Sequence, residues 1–209
     1  MNALDHLLDG NERFCHGVSD HCADRLERRL ACLDAQEPSV AVLSCADARV
    51  DPDIVFDAPL GDLFSVRIAG ALATDEAIAS LRYAVDVLGV RTVVVLGHEG
   101  CGAVAAAVAG HAPAALESLV APIRAVIFDS TDPVRDNTCA QAHRVRVELD
   151  PEVAVLGAVY SAATGRVEIH PVPLDDTSLT HTLSQTTLSQ TTINQTNVNQ
   201  TTTRKDPLT

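Results

Sequence analysis

Residues at two places in the chain have types and spacing that could do chemistry together: Cys45, Asp47 and Arg49 in Cys45-Ala-Asp-Ala-Arg49, and His98 and Cys101 in Gly97-His-Glu-Gly-Cys-Gly102. An imidazole and a thiolate three residues apart in a glycine-rich turn can grip one metal ion, but two ligands are not a site. Cys45 supplies a third. Zinc accepts nitrogen and sulfur ligands tetrahedrally, and three of them leave the fourth position for water or an exchangeable carboxylate. Zinc also draws the pKa of bound water toward neutrality, which makes hydroxide available as a nucleophile. Arg49 can pair bidentately with Asp47 and hold that carboxylate off the metal, as acceptor for the hydroxide's proton. Freed from Arg49, Asp47 could become the fourth ligand and close the site. The competing readings are a permanently closed site and buried thiols without metal. The second explains neither the glycines around His98 nor Arg49.

Such a set needs two strand ends side by side. Ser39-Val-Ala-Val-Leu-Ser44 is an apolar run delivering Cys45, with a strand expected at about 40–44. Val93-Val-Val-Leu96 is another, with a strand at 92–96 running out at Gly97. Strands also read at 62–68, at 153–160 and, as a hairpin partner, at 166–169. Helical spacing marks 2–14, 20–33 (carrying Leu26, Leu30 and Leu33), a short helix after Asp51-Pro52, 74–88, 103–109 and 116–128. The stretch 129–152 is polar and shows no readable period. Strands apolar on both faces and alternating with helices predict an α/β fold, a mainly parallel sheet flanked by helices, whose sites form beyond the carboxyl ends of the strands.

At 209 residues, 1–174 reads as one domain, with 1–35 as an N-terminal helical arm. Beyond 175 the composition shifts to repeats such as Leu183-Ser-Gln-Thr-Thr and Val198-Asn-Gln-Thr-Thr. One apolar residue in five cannot offset the entropy of ordering, so 175–209 is expected to be a disordered tail, with a short β-solenoid as the sharper alternative.

The net charge is −13 and Lys205 is the only lysine, an acidic balance that argues against nucleic acid and anionic membranes as partners. It suits a high-salt cytosol or reflects arginine-rich coding. No apolar run approaches the ~20 residues of a membrane span, and the opening Met1-Asn-Ala-Leu-Asp-His6 has no secretory signal pattern, so a cytoplasmic location is expected. Outside the metal set, Cys15, Cys22, Cys32 and Cys139 then read as reduced thiols.

With these residues in hand, the chain resembles the β-class carbonic anhydrases, whose pattern is Cys-x-Asp-x-Arg followed about fifty residues later by His-x-x-Cys. The likeness runs from Leu7–Phe14 to Val153–Ile169 and includes Gly61-Asp-Leu-Phe64, Val66-Arg-Ile-Ala-Gly70 and Tyr83–Val90. It implies one zinc per chain on Cys45, His98 and Cys101, with Asp47–Arg49 as a catalytic dyad, and reversible hydration of carbon dioxide to bicarbonate and a proton. It also implies substrate contacts from Gln36, Phe64, Tyr83 and the N–H of Gly102, in a pocket shared across a homodimer or homotetramer. Relatives acting on carbon disulfide or carbonyl sulfide make a sulfur substrate the alternative activity, and a non-catalytic closed zinc site the alternative outside enzymes. Arg67 and Tyr160 match two members of a bicarbonate-inhibition site, but Val42 stands in place of its tryptophan. Against the family, the segment from Arg124 to Val153 reads as short, as though a helix before the last strand were partly missing.

Overall fold

The computed structural model describes residues 2–19 and 25–172. Helix α1 (Ala3–Cys15) starts at a capping box, Asn2 accepting from the Asp5 N–H while the Asp5 carboxylate accepts from the Asn2 N–H. After α2 (Arg25–Ala31) come β1 (Val40–Ser44), α3 (Pro52–Val55, capped by Asp51), β2 (Leu63–Arg67) and α4 (Asp75–Asp86, capped by Thr74). Then follow β3 (Thr92–His98), α5 (Gly102–Val108), α6 (Glu117–Val126), α7 (Pro133–Glu148), β4 (Ala154–Tyr160) and β5 (Val167–His170).

The strands form a five-stranded sheet in the order β2-β1-β3-β4-β5, parallel except for the antiparallel β5. The expected α/β architecture is thus present. All of β1, and β3 from Val93 onward, are buried because helices cover both faces. On one face, Leu81 and Val85 of α4 and Ala142 and Val145 of α7 pack on Leu43, Val93 and Val95. On the other, Leu7 of α1 and Val55 and Phe56 at α3 pack on Val42, Val94 and Leu96. Asn11 ties this second layer together: its amide donates to the carbonyls of Val55 (3.0 Å) and Gly165 (2.8 Å), and its oxygen accepts from the Val167 N–H (2.9 Å).

The structure departs from the sequence expectation in three places. The unreadable stretch 129–152 holds the longest described helix, the 16-residue α7, capped by Asp132 with Pro133 in its first turn. Its buried face mixes Asn137, Thr138 and Gln141 with Ala140, Ala142 and Val145, so no clear apolar stripe marks it, and a 16-residue helix stands before the last strand where a partly missing one was expected. Strand β3 runs two residues past its expected end, because Gly97 and His98 pair with Val159 and Tyr160 of β4. Leu26, Leu30 and Leu33 of the second helical segment are not a buried stripe in the single chain, being 63%, 52% and 68% exposed. The tail expected at 175–209, and Cys22 with it, lies outside the described residues.

Candidate metal centre

The site follows from the strand register. Ser44 of β1 lies beside Leu96 of β3, so Cys45 leaves the sheet level with Gly97, one residue before His98. Chain order reverses here: β1 is followed in sequence by β2 on one side and flanked by β3 on the other, which opens a crevice at the carboxyl ends. Cys101 returns to it through the turn before α5. The donor atoms of Cys45, His98 and Cys101 lie within 4.8 Å of one another, and all three residues are buried. Among the described residues this is the only such group.

The geometry suits a tetrahedral thiophilic ion. The two sulfurs stand 3.9 Å apart; sulfurs each ~2.3 Å from one zinc at the tetrahedral angle stand about 3.8 Å apart. The Nδ1 of His98 meets the Glu99 carbonyl oxygen at 3.0 Å, and its Nε2 is buried with no hydrogen-bond partner. A buried, unpaired ring nitrogen facing two thiols is a donor set in want of a cation. A hydrogen bond from Cys101 outweighs burial and draws the Cys45 thiol down to about 4. The same bond, with burial, pushes Cys101 far up. Burial opposes charging His98, but the adjoining Cys45 sulfur, with lesser help from the Glu99 carbonyl and Asp47, outweighs it and the imidazole pKa is raised.

Asp47 and Arg49 stand at the rim. Arg49 Nε and Nη2 donate to the two carboxylate oxygens of Asp47 at 2.9 and 2.7 Å, and the Arg49 backbone N–H donates at 2.9 Å. These bonds hold the Asp47 carboxyl well below the usual carboxylate range. Arg49 also donates to the Gly100 carbonyl at 3.2 Å, joining the two loops. Asp47 Oδ2 is 3.8 Å from His98 Nε2. The carboxylate is therefore next to the donor set but oriented by arginine.

The remaining expected residues are dispersed. Gly102 begins α5 directly after Cys101 and is exposed. Gln36 is exposed on the loop before β1. Phe64 and Tyr83 pack on each other, ring centroids 6.2 Å apart, and do not line the small cavity at the donors. Arg67 binds the loop that carries Cys45 and Asp47, donating to their carbonyls at 3.4 and 2.9 Å, while Val42 and Tyr160 lie in the α1-side core. Sequence reasoning overlooks Gly70, Asn137 and Thr138, which line the cavity. The last two sit on α7, whose polar face hid it. Gly97 alone signalled them: a Cβ there would lie 2.0 Å from Thr138 Oγ1, so its glycine marks a helix pressed against the strand end.

Comparison with known proteins agrees with this geometry. The family model described as carbonic anhydrase matches residues 40–156, the segment that carries every donor and the Asp47–Arg49 pair. The chain belongs to the carbonic anhydrase family. It is 45% identical over 103 residues to carbonic anhydrase 2 of Mycobacterium tuberculosis, 49% of this chain and 50% of the relative. The match thus spans about half the length of this curated relative. The fold is that of the β-carbonic anhydrase of Coccomyxa, with a TM-score of 0.63 and 24% identity over 79% of this chain and 85% of that one. It is also that of a tetrameric β-carbonic anhydrase from Sordaria macrospora, with a TM-score of 0.60 and 22% identity over 70% of this chain and 86% of that one. Among the described residues no helix is long and apolar enough to cross a membrane.

Proposed function

We propose that the chain binds one zinc ion through Cys45, His98 and Cys101 and catalyses the reversible hydration of carbon dioxide to bicarbonate and a proton. The observation that carries this reading is the convergence of two buried thiols and an unpaired buried imidazole nitrogen beside a carboxylate fixed by arginine. Zinc, when bound there, supplies a Lewis acid and lowers the pKa of coordinated water. The chain's own residues do the rest. Asp47, kept ionised by Arg49, offers a carboxylate oxygen as acceptor for the proton of the attacking group and so orients it. Arg49, bound to both oxygens of the same carboxylate, would restrain it from joining Cys45, His98 and Cys101 on an ion, which speaks against a permanently closed site. The Gly102 N–H, offered beyond Cys101 at the first turn of α5, is suited to hold a substrate oxygen.

Gln36, Phe64 and Tyr83 stand away from the donors within one chain, so their proposed part in the substrate pocket requires a second copy. A homodimer or homotetramer fits both this and the tetrameric neighbour. Carbon dioxide and bicarbonate need no macromolecular partner, and a cytoplasmic location accords with reduced thiols at the centre.

The test is metal content and substrate choice on one preparation. One zinc per chain is expected, lost in Cys45→Ser and His98→Ala, with turnover of carbon dioxide. Turnover of carbon disulfide or carbonyl sulfide in its place would reassign the substrate, and zinc retained in both variants would move the metal elsewhere.

A further inference from the structure

The turn Ala69–Ala71 between β2 and α4 has a costly conformation. Gly70 has φ 74° and Ala71 φ 53°, and a left-handed alanine persists only where its surroundings impose it. The Gly70 N–H is aimed at Cys45 Sγ, 3.3 Å away. Its carbonyl accepts from Asn137 Nδ2 at 2.9 Å. Asn137 Oδ1 accepts from Gln141 Nε2 at 3.2 Å, and Gln141 Oε1 accepts from the Ala73 N–H at 3.0 Å. Asn137 and Gln141, one turn apart on α7, are 2% and 5% exposed. Buried side-chain amides are costly unless their groups are paired. Here the pairing reaches both ends of one turn, and that turn ends on a sulfur of the donor set.

We propose that Asn137 and Gln141 are positioning residues of the metal centre, clamping residues 70–73 so that the Gly70 N–H points at Cys45 and tunes the charge this sulfur donates to a bound metal. The inference rests on the reading that Cys45, His98 and Cys101 hold the ion. An amide proton on a thiolate withdraws electron density from sulfur and fixes its direction. Partners of this kind, one step removed from the metal, govern its affinity. Without the clamp the turn relaxes, the sulfur becomes more electron-rich, and its aim is lost.

The full chain loaded with cobalt(II) in place of zinc reports both effects, through sulfur-to-cobalt charge-transfer absorption and competition with a chelator. Asn137→Ala removes the donor to Gly70, and Gln141→Met removes both of its contacts at similar volume; neither adds charge. Asn137→Ala is expected to weaken cobalt binding by about 10- to 100-fold and move the charge-transfer band to lower energy. Gln141→Met should do the same to a smaller extent, and carries the test alone if Asn137→Ala does not fold. Val145→Ala, at a fully buried apolar position of the same helix, should lower the melting temperature yet leave the band in place. Wild-type band and affinity in both polar variants, or an equal band shift in Val145→Ala, would overturn the proposal. If wild-type protein shows no sulfur-to-cobalt band, the donor-set reading fails instead.

Discussion

Replacing Gly97 by alanine tests how closely α7 is pressed onto the strand that delivers His98. The new Cβ would lie 2.0 Å from Oγ1, 3.2 Å from Cβ and 3.5 Å from Cγ2 of Thr138. Neither side yields easily. β3 is paired on both flanks, and the Thr138 hydroxyl is held by its bond to the Val134 carbonyl at 2.8 Å. Overpacking of this kind costs about 1–3 kcal/mol, and a clash with a fixed hydroxyl belongs at the upper end. At roughly 2–4 °C per kcal/mol for a chain of this size, Gly97→Ala should melt about 6–12 °C lower. Thr138→Ala removes Oγ1 and Cγ2 and leaves only the 3.2 Å contact, which needs a shift of a few tenths of an ångström. The double variant should therefore be more stable than Gly97→Ala alone, with a coupling of about 2 kcal/mol. Thermal and urea unfolding of metal-free protein measures this without linkage to zinc. Additive losses in the double variant would refute the contact as the reason for Gly97.

Other outcomes follow from single groups. Burial, and then the Asp51 charge, raise the Asp53 carboxyl, so folded protein binds its proton more tightly than unfolded chain. That makes the ionised form a net cost. Stability falls as pH rises from about 3.9, the unfolded value, through the raised folded value. Asp53→Asn should raise the melting temperature at neutral pH, with the gain vanishing in acid; a gain that is the same at every pH would contradict it. Asn11→Ala strands two carbonyls and one N–H between α1, α3 and the β4–β5 hairpin. It should cost about 3 kcal/mol in urea unfolding, and a loss below about 1 kcal/mol would mean water replaces the amide.

The site was legible because Cys45 directly follows one apolar run, while His98 closes another and Cys101 comes three residues later in a glycine-rich turn. Cys45, His98 and Cys101 meet as their positions required, with Asp47 and Arg49 paired beside them. Helix α7 was not legible for the opposite reason. Asn137, Thr138 and Gln141 face inward to serve the Gly70 turn and the glycine at 97, so the helical period is written in polar residues. Leu26, Leu30 and Leu33 announce a helical segment, and α2 is there, but spacing does not say what covers an apolar face, and the single chain leaves all three exposed. Phe64 and Tyr83 were identified by likeness alone, and nothing local in the sequence says whether such aromatics pack at home or line a neighbour's pocket.

The most direct measurement is stopped-flow hydration of carbon dioxide by the zinc-loaded chain across mildly acidic to alkaline pH, with Asp47→Ala, Arg49→Ala and Cys101→Ala beside it. Expected is turnover that rises with pH, abolished in Asp47→Ala and Cys101→Ala. Arg49→Ala should lose at least about 10-fold, because its carboxylate is no longer held off the metal position. A folded, zinc-bound chain with no turnover at any pH, or one that Asp47→Ala leaves unchanged, would contradict the assignment.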